Sequence, residues 1–298
     1  MPGTDRLIRV SRCGLLTLPA IVAISCSPST SRPRVDVPAL TACGVDSGHT
    51  KAGLYFECYG AGDDVVILIP AFSMDLRMWA PQVPMLSRSA RVIAYDLRGH
   101  GRSIAPLEPY SAVDDLLALM DERGIGSAHL IGVSNGARIA LDFALTHPSK
   151  ARSLALASPG VSGFTGGDFS YMAPVIGAVR AGNLEQAAEL WAATPLMHIP
   201  NDSAAAALIR TISRDNRSIW GQRSNPERPL SPPAIGRLAE VNVPVLVIAG
   251  ESDLPALRAL ADSVAQTIPG AIRVVIPGVG HLVNVAAPDA FNRAIQSF

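Results

Sequence analysis

A serine flanked by glycines stands near the middle of the chain, where residues 132–136 read Gly-Val-Ser-Asn-Gly. An apolar run at 128–131 precedes this pattern, and helix-forming residues at 137–145 follow it. A serine on so tight a strand-to-helix turn has strained backbone angles, and the glycines let helix and strand approach closely. The pattern predicts a nucleophile at Ser134, and the simpler alternative is a hydroxyl that caps the helix.

A nucleophilic serine requires a base, and the base requires an acid that orients it. Two later apolar runs, at 243–250 and 272–277, are typical of buried parallel strands. The first run leads into Glu251 and Asp253, and the second leads into His281. Acidic and basic candidates therefore follow the serine along the chain.

A further apolar run at 92–95 leads into residues 96–103, which read Asp-Leu-Arg-Gly-His-Gly-Arg-Ser. Taken together in chain order, these motifs resemble those of the α/β-hydrolase superfamily. Within it, they resemble the serine hydrolases of the esterase and enol-lactonase-like branch, which carry a helical cap. The resemblance spans about residues 53–298. It implies a catalytic triad of Ser134, His281 and Asp253.

The resemblance also implies an oxyanion hole built partly from the loop after the strand at 65–69. Pro70 has no N–H and cannot donate. By position the donors are the backbone N–H groups of Phe72 and of Asn135, just after the nucleophile. Ala71 replaces a glycine that is usual in the family, and it restricts this loop.

Two alternatives concern the acid. Asp253 is also placed to cap a helix near 254–267, and Glu251 is a competing acid two residues nearer the strand. We interpret the motif at 96–103 as a Gly-rich turn below the site, stabilised by Asp96 and Arg98.

Other chemistries do not match the sequence. Related dehalogenases and epoxide hydrolases carry aspartate at the position of Ser134. The glycine patterns at 99–101 and 278–280 lack the third glycine and the helix of a dinucleotide site, and there is no P-loop. The four cysteines show no C-x-x-C spacing, so a zinc site is not indicated. The resemblance to serine hydrolases implies that neither a cofactor nor a metal is needed. Lysine plus arginine equals aspartate plus glutamate at 25 each, so no nucleic-acid partner is expected.

The N-terminal segment differs from the rest of the chain. Three arginines at 6–12 precede an apolar run at 14–24 that is too short to span a bilayer. This pattern predicts a signal peptide at 1–25. Residues 23–26 read Ala-Ile-Ser-Cys and resemble a permissive bacterial lipobox, which would place a lipid on Cys26 ahead of a polar tether at 26–40.

We therefore expect an exported protein, either periplasmic or attached to the bacterial cell envelope by its lipid. That anchor is the single membrane contact we predict, and the alternative is a cytoplasmic protein. Export would allow a disulfide between Cys43 and Cys58, near predicted strands at 41–45 and 53–59 that flank a turn at 46–48. The alternative is two buried thiols.

Alternating strands and helices predict an α/β fold, with a doubly wound and mostly parallel sheet and an inserted helical cap. After two N-terminal strands, further strands are predicted at 65–69, 91–95, 128–132, 152–157, 243–249 and 272–276. Core helices are predicted at 78–88, 111–122, 135–146, 254–267 and 286–297.

The hydrolase core is predicted to comprise residues 41–158 and 239–298, with the cap at 159–238 and helical at 183–191 and 203–213. The cap is rich in apolar residues, which either bury the cap against the core or line a substrate pocket. Trp191, Met197 and Met172 are the candidates for substrate contact.

Together these features predict a serine hydrolase that cleaves a small-molecule ester or lactone through an acyl-enzyme. Two alternatives stay open. A C–C bond hydrolase of meta-cleavage products uses the same triad, and a binding protein on this fold would clamp a small ligand without turnover. No feature of the sequence selects an oligomeric state.

Overall fold

The computed structural model describes residues 46–221 and 227–298. The predicted signal peptide, the lipidation of Cys26, the whole of the tether and Cys43 lie outside those residues. Within them, no helix has the length and apolarity needed to cross a membrane.

One sheet of eight strands organises the described residues. In chain order the strands are β1 (Asp46–His49), β2 (Tyr55–Tyr59), β3 (Val65–Ile69), β4 (Arg91–Tyr95), β5 (Ala128–Val133), β6 (Ala151–Ala157), β7 (Val245–Gly250) and β8 (Ile272–Ile276). Their spatial order is β1-β2-β4-β3-β5-β6-β7-β8, with β1 and β2 antiparallel to their neighbours and all other pairs parallel. The predicted α/β fold with a mostly parallel sheet is confirmed, and the six strands from β3 onward match their predicted bounds within two residues.

The central strands are apolar throughout because both faces of the sheet are covered. All five residues of β3 are buried. Val65, Ile67 and Ile69 face one apolar core, while Val66 and Leu68 face the other, as the two-residue period of a strand requires.

Helices pack on both faces of this sheet. In chain order they are α1 (Val83–Leu86), α2 (Ala112–Glu122), α3 (Asn135–Thr146), α4 (Ala173–Arg180), α5 (Leu184–Ala192), α6 (Ser203–Asp215), α7 (Pro255–Thr267), α8 (Val283–Ala286) and α9 (Pro288–Gln296). Helices α2, α3 and α7 contribute to one core, and α1, α8 and α9 contribute to the other. The sheet is therefore doubly wound, as predicted.

Prolines divide one of the predicted helices and set the first residue of another. The helix expected at 78–88 is a 3-10 turn at Leu76–Trp79 followed by the short α1, because Pro81 and Pro84 lack the N–H groups that a continuous helix needs. The helix expected at 286–297 matches α9 within two residues at each end, and it begins at Pro288 because Ala287 has an extended φ of −142°.

The N-terminal hairpin turn was predicted at the wrong place. Residues 46–48 belong to β1, and the chain turns between Thr50 and Leu54 instead. Gly53 adopts a φ of 81° there and donates its N–H to the Thr50 carbonyl at 2.8 Å. Cys58 on β2 is buried.

The segment between β6 and β7 contains α4, α5 and α6. Val175 of α4, Trp191 of α5 and Ile209 of α6 are buried in the same apolar core as Val83 of α1. This segment therefore packs against the same face of the sheet as α1, α8 and α9.

Candidate active site

Ser134 lies between the end of β5 and the start of α3, at the carboxyl edge of the parallel strands. Its backbone is strained, with φ 54° and ψ −111°. A Cβ on Gly132 would lie 2.3 Å from the carbonyl of Gly136, and a Cβ on Gly136 would lie 2.1 Å from the carbonyl oxygen of Ile69. Only glycine fits at both positions, so the residue pattern follows from the geometry of the turn.

The Ser134 side chain does not cap α3 and makes no hydrogen bond within the described part of the chain. Its backbone N–H donates to the Ala157 carbonyl at 2.9 Å, which ties the turn to the end of β6. The hydroxyl is half-buried and free to rotate toward a partner. The capping alternative is thereby wrong.

Asp253 and His281 follow β7 and β8 at the same edge of the sheet, and the structure brings them together. Asp253 Oδ2 lies 2.8 Å from His281 Nδ1, and both side chains are buried. Asp253 Oδ1 accepts the N–H of Leu254 at 2.7 Å, so both carboxylate oxygens have partners. This arrangement orients the imidazole and leaves Nε2 available for proton transfer.

Glu251, the competing acid, lies elsewhere. Its side chain is exposed, and Oε2 accepts the N–H of Gly278 at 3.0 Å. Glu251 therefore braces the loop that leads to His281 without contacting the imidazole.

The loop after β3, residues 70–73, carries the second predicted oxyanion donor. The N–H groups of Phe72 and Asn135 donate to none of the residues that the structure describes. The close approach of Gly136 to Ile69 sets the start of α3 against this loop. Two unpaired donors, one at a helix N-terminus, are thus available to a developing negative charge.

Ser73 anchors this oxyanion loop. It is fully buried with φ 63°, and its N–H donates to His100 Nε2 at 3.3 Å. Its hydroxyl accepts the indole N–H of Trp191, and its carbonyl accepts Asn216 Nδ2 at 3.0 Å. Three segments that are distant in sequence therefore hold Ser73 in a left-handed backbone conformation, which is unfavourable for a serine.

His100 is neutral in this arrangement. Nε2 accepts the Ser73 N–H, so the ring proton is on Nδ1, 2.9 Å from the Arg98 carbonyl oxygen. Burial lowers the pKa of His100, which favours the neutral form further.

Phe72 takes part in an aromatic cluster with His100, Trp191 and Trp220. The ring centroid of Phe72 lies 5.9, 5.8 and 5.4 Å from these three rings respectively, each in edge-to-face geometry. Trp191 is predicted above to contact substrate, and here it borders the oxyanion loop. The other two predicted contacts, Met197 and Met172, pack in the same apolar core as Trp191.

A cavity of about 240 Å³ adjoins the oxyanion loop on the side of Asn135. Its lining is partly apolar, with Leu54, Phe72 and Ile139 among its residues, and we call it the polar cavity after its polar members Tyr95, Arg98, His100, Asp115, Asn135 and Glu227. Met172, Met197 and Ser134 are not part of this lining. Sequence reasoning missed the cavity, although Tyr95 and Arg98 stand at the carboxyl end of a predicted strand, where sites form in such sheets.

The motif at 96–103 forms the turn beside this cavity, as interpreted from the sequence. Asp96 accepts the N–H groups of Leu76 and Arg102, each at 2.8 Å. Arg98 donates twice to Asp115 of α2, at 2.7 Å each. Burial and the charge of Asp75 raise the pKa of Asp96 to about 7, against the opposing effect of the two N–H donors. Among the described residues, no group of three or more His, Cys, Asp or Glu side chains is arranged to hold a metal ion.

Comparison with known proteins agrees with this architecture. A family model described as the alpha/beta hydrolase fold matches residues 64–288. RutD of Caulobacter sp. (strain K31), provisionally named a carbamate hydrolase, is 30% identical over 262 residues, covering 84% of this chain and 96% of that protein. The 3-oxoadipate enol-lactonase 1 of Acinetobacter baylyi is 24% identical over 78% of this chain and 87% of its own length. The crystal structure of the enol-lactonase from Burkholderia xenovorans LB400 superposes with a TM-score of 0.68 at 26% identity, covering 85% of this chain and 98% of that one. The chain belongs to the α/β-hydrolase family.

Proposed function

We propose that this protein is a serine hydrolase that cleaves small carboxylic esters or lactones. The observation that carries the proposal is the buried 2.8 Å contact between His281 Nδ1 and Asp253 Oδ2. It occurs in a chain whose Ser134 occupies a strained strand-to-helix turn at the same edge of the sheet. An oriented imidazole and an accessible, half-buried hydroxyl at one sheet edge are what acyl transfer to serine needs.

In the proposed reaction, Ser134 Oγ attacks the substrate's carbonyl carbon while His281 Nε2 takes the hydroxyl proton. Asp253 holds the proton on Nδ1 and stabilises the imidazolium that forms. His281 then protonates the leaving alkoxide, and the acyl group stays on Ser134. Water attacks the acyl-enzyme with His281 again as base, which releases the acid.

The tetrahedral oxyanion would be stabilised by the N–H groups of Phe72 and Asn135. Both donors lack a partner among the described residues, so neither must break a protein hydrogen bond first. Each such donor typically contributes about two to three powers of ten to the rate. The oxyanion loop is therefore as important to this proposal as the triad.

The relatives support an acyl substrate in general. Enol-lactonases appear among both the sequence relatives and the solved structures. The resemblance to RutD makes a carbamate a second candidate substrate class, because attack of Ser134 on a carbamate carbonyl follows the same course. A panel of esters, lactones and carbamates distinguishes these classes.

We propose further that residues 159–238 act as a cap over the site. The support is that Trp191 of α5 and Trp220 pack edge-to-face on Phe72 of the oxyanion loop. Substrate would then enter against these rings, with Met172 and Met197 behind them in the apolar core.

The direct test uses Ser134→Ala with a fluorophosphonate probe and p-nitrophenyl acetate. Labelling should disappear, and turnover should fall by about six powers of ten, as in other triad enzymes. Ser252→Ala is the matched control, since Ser252 is an exposed serine at the same sheet edge. Full turnover in Ser134→Ala would exclude the mechanism. Labelling of the wild type without turnover of any substrate would favour the binding-protein alternative, and turnover of vinylogous diketones alone would favour the C–C bond hydrolase.

A further inference from the structure

We propose that the polar cavity is an acyl-side subsite for neutral acyl groups that carry a second hydrogen-bond acceptor, such as a ketone or amide carbonyl. The Tyr95 hydroxyl and the Asn135 side-chain amide are its donors. The inference rests on the proposed hydrolase function and names the substrate class that this site selects.

Tyr95 supplies the first donor. Its side chain is almost completely buried at the end of β4, it lines the polar cavity, and its hydroxyl has no partner among the described residues. A buried hydroxyl without a partner is destabilising and is rare in native proteins. A ligand atom that accepts this hydrogen bond would remove the penalty only when substrate is bound.

Asn135 supplies the second donor, and its orientation is set by a neighbour. Oδ1 accepts Arg138 Nε at 2.8 Å, which places the amide nitrogen on the opposite side of the group. Nδ2 donates to none of the described residues. Asn135 lines the same cavity as Tyr95, so both donors belong to residues of one cavity wall.

The charges around the cavity argue for a neutral ligand. Arg98 is held by both oxygens of Asp115, and Arg138 is paired with Glu227 at 2.6 Å and with Asp142 at 3.1 Å. Both guanidinium groups are therefore committed to carboxylates. Because Asp115 holds Arg98, the arginine that lines the cavity, a free carboxylate on the ligand would find no uncommitted guanidinium among the described lining residues.

The position of the cavity, beside the oxyanion loop and away from His281, supports its assignment to the acyl side of the substrate. Phe72 and Asn135, whose N–H groups are the proposed oxyanion donors, form part of its wall, whereas His281 does not. His281 must protonate the leaving group, so the leaving group lies on the histidine side of the scissile bond. The acyl chain then extends past Asn135 into the polar cavity.

The test compares two esters of equal chain length, p-nitrophenyl 4-oxopentanoate and p-nitrophenyl pentanoate. We expect wild-type kcat/KM to favour the 4-oxo ester, and Tyr95→Phe to reduce that preference by about three- to tenfold, the usual effect of one neutral hydrogen bond. The Tm of Tyr95→Phe should be equal to or above that of the wild type, since the hydroxyl has no partner without substrate. Tyr59→Phe is the matched control, because that hydroxyl bonds to Glu57 away from the cavity.

The outcomes separate this inference from the proposed function. Hydrolysis of both esters with no preference, or a preference that survives Tyr95→Phe, would overturn the inference and leave the hydrolase intact. If neither ester is hydrolysed, the proposed function fails for simple acyl esters. In that case, tryptophan fluorescence titrations of Ser134→Ala with methyl 4-oxopentanoate and methyl pentanoate test the subsite by binding, independently of catalysis. The subsite is supported if the keto ester binds more tightly than methyl pentanoate and Tyr95→Phe removes that difference. Equal binding of the two esters refutes the subsite.

Discussion

The indole N–H of Trp191 in α5 donates a hydrogen bond to the hydroxyl of Ser73 in the oxyanion loop. The two residues are 118 positions apart in the chain and both are buried. Ser73 holds a left-handed backbone conformation next to Phe72, so this bond connects the inserted helical segment to a proposed oxyanion donor. The placement of α5 and the geometry of the oxyanion loop are therefore coupled.

Trp191→Phe should lower kcat by about three- to tenfold through loss of this one hydrogen bond, with a smaller change in KM. The reason is that the loop donor acts on the transition state rather than on bound substrate. Trp220→Phe is the control, because the Trp220 N–H has no partner among the described residues while its ring packs on Phe72 in the same way. Equal losses of kcat in the two variants would show that packing alone matters.

Asp253→Asn should reduce kcat by about 10⁴, because an amide favours the wrong imidazole tautomer. Glu251→Gln should have a far smaller effect, since Glu251 contacts the Gly278 N–H and not His281. Steady-state kinetics on one ester measures both variants. A larger loss in Glu251→Gln would reverse our assignment of the acid.

Asp96 should make the protein less stable as the pH rises from about 4 to about 7. Burial and Asp75 raise the pKa of Asp96 to about 7 in the folded state from 3.8. Between these values the unfolded chain releases this proton while the folded chain keeps it, so unfolding becomes easier. Below pH 3.8 the folded and the unfolded chain both hold this proton, and the contribution of Asp96 to stability is at its maximum.

Urea denaturation across this pH range checks the prediction. The stability of the wild type relative to Asp96→Asn should fall steadily from pH 4 to pH 7. Asp63→Asn, a change in an exposed loop, is the control. A wild-type advantage that grows with pH would mean that Asp96 is charged at its buried position.

Expression in a bacterial host should remove residues 1–25 and leave Cys26 as an acylated N-terminus. Cys26→Ser should release the enzyme to the soluble fraction or leave the precursor uncleaved, because anchoring depends on the lipid chains. Mass spectrometry of the purified N-terminus decides between processing routes. An intact Met1, or a cut elsewhere without lipid mass, would exclude lipidation, and an intact Met1 would favour the cytoplasmic alternative.

Local patterns in the sequence predicted the six strands from β3 to β8, and the resemblance to the α/β-hydrolase superfamily implied the three triad candidates. Buried parallel strands are continuous apolar runs whatever their neighbours are, so β3 to β8 could be recognised one by one. The turn at Ser134 requires glycine at 132 and 136 for steric reasons, and that requirement is visible in the residue types. The prolines at 81 and 84 are equally visible in the sequence, and the continuous helix predicted across them is wrong.

Only the tertiary structure decided which groups meet. Glu251 and Asp253 are two residues apart, and only the path of the chain after β7 turns Asp253 toward His281. The anchoring of Ser73 draws on segments up to 143 positions away, and the polar cavity is closed by β4, α2, α3 and Glu227 together. Such contacts depend on how elements pack in three dimensions, which the periodicity of any one segment does not encode.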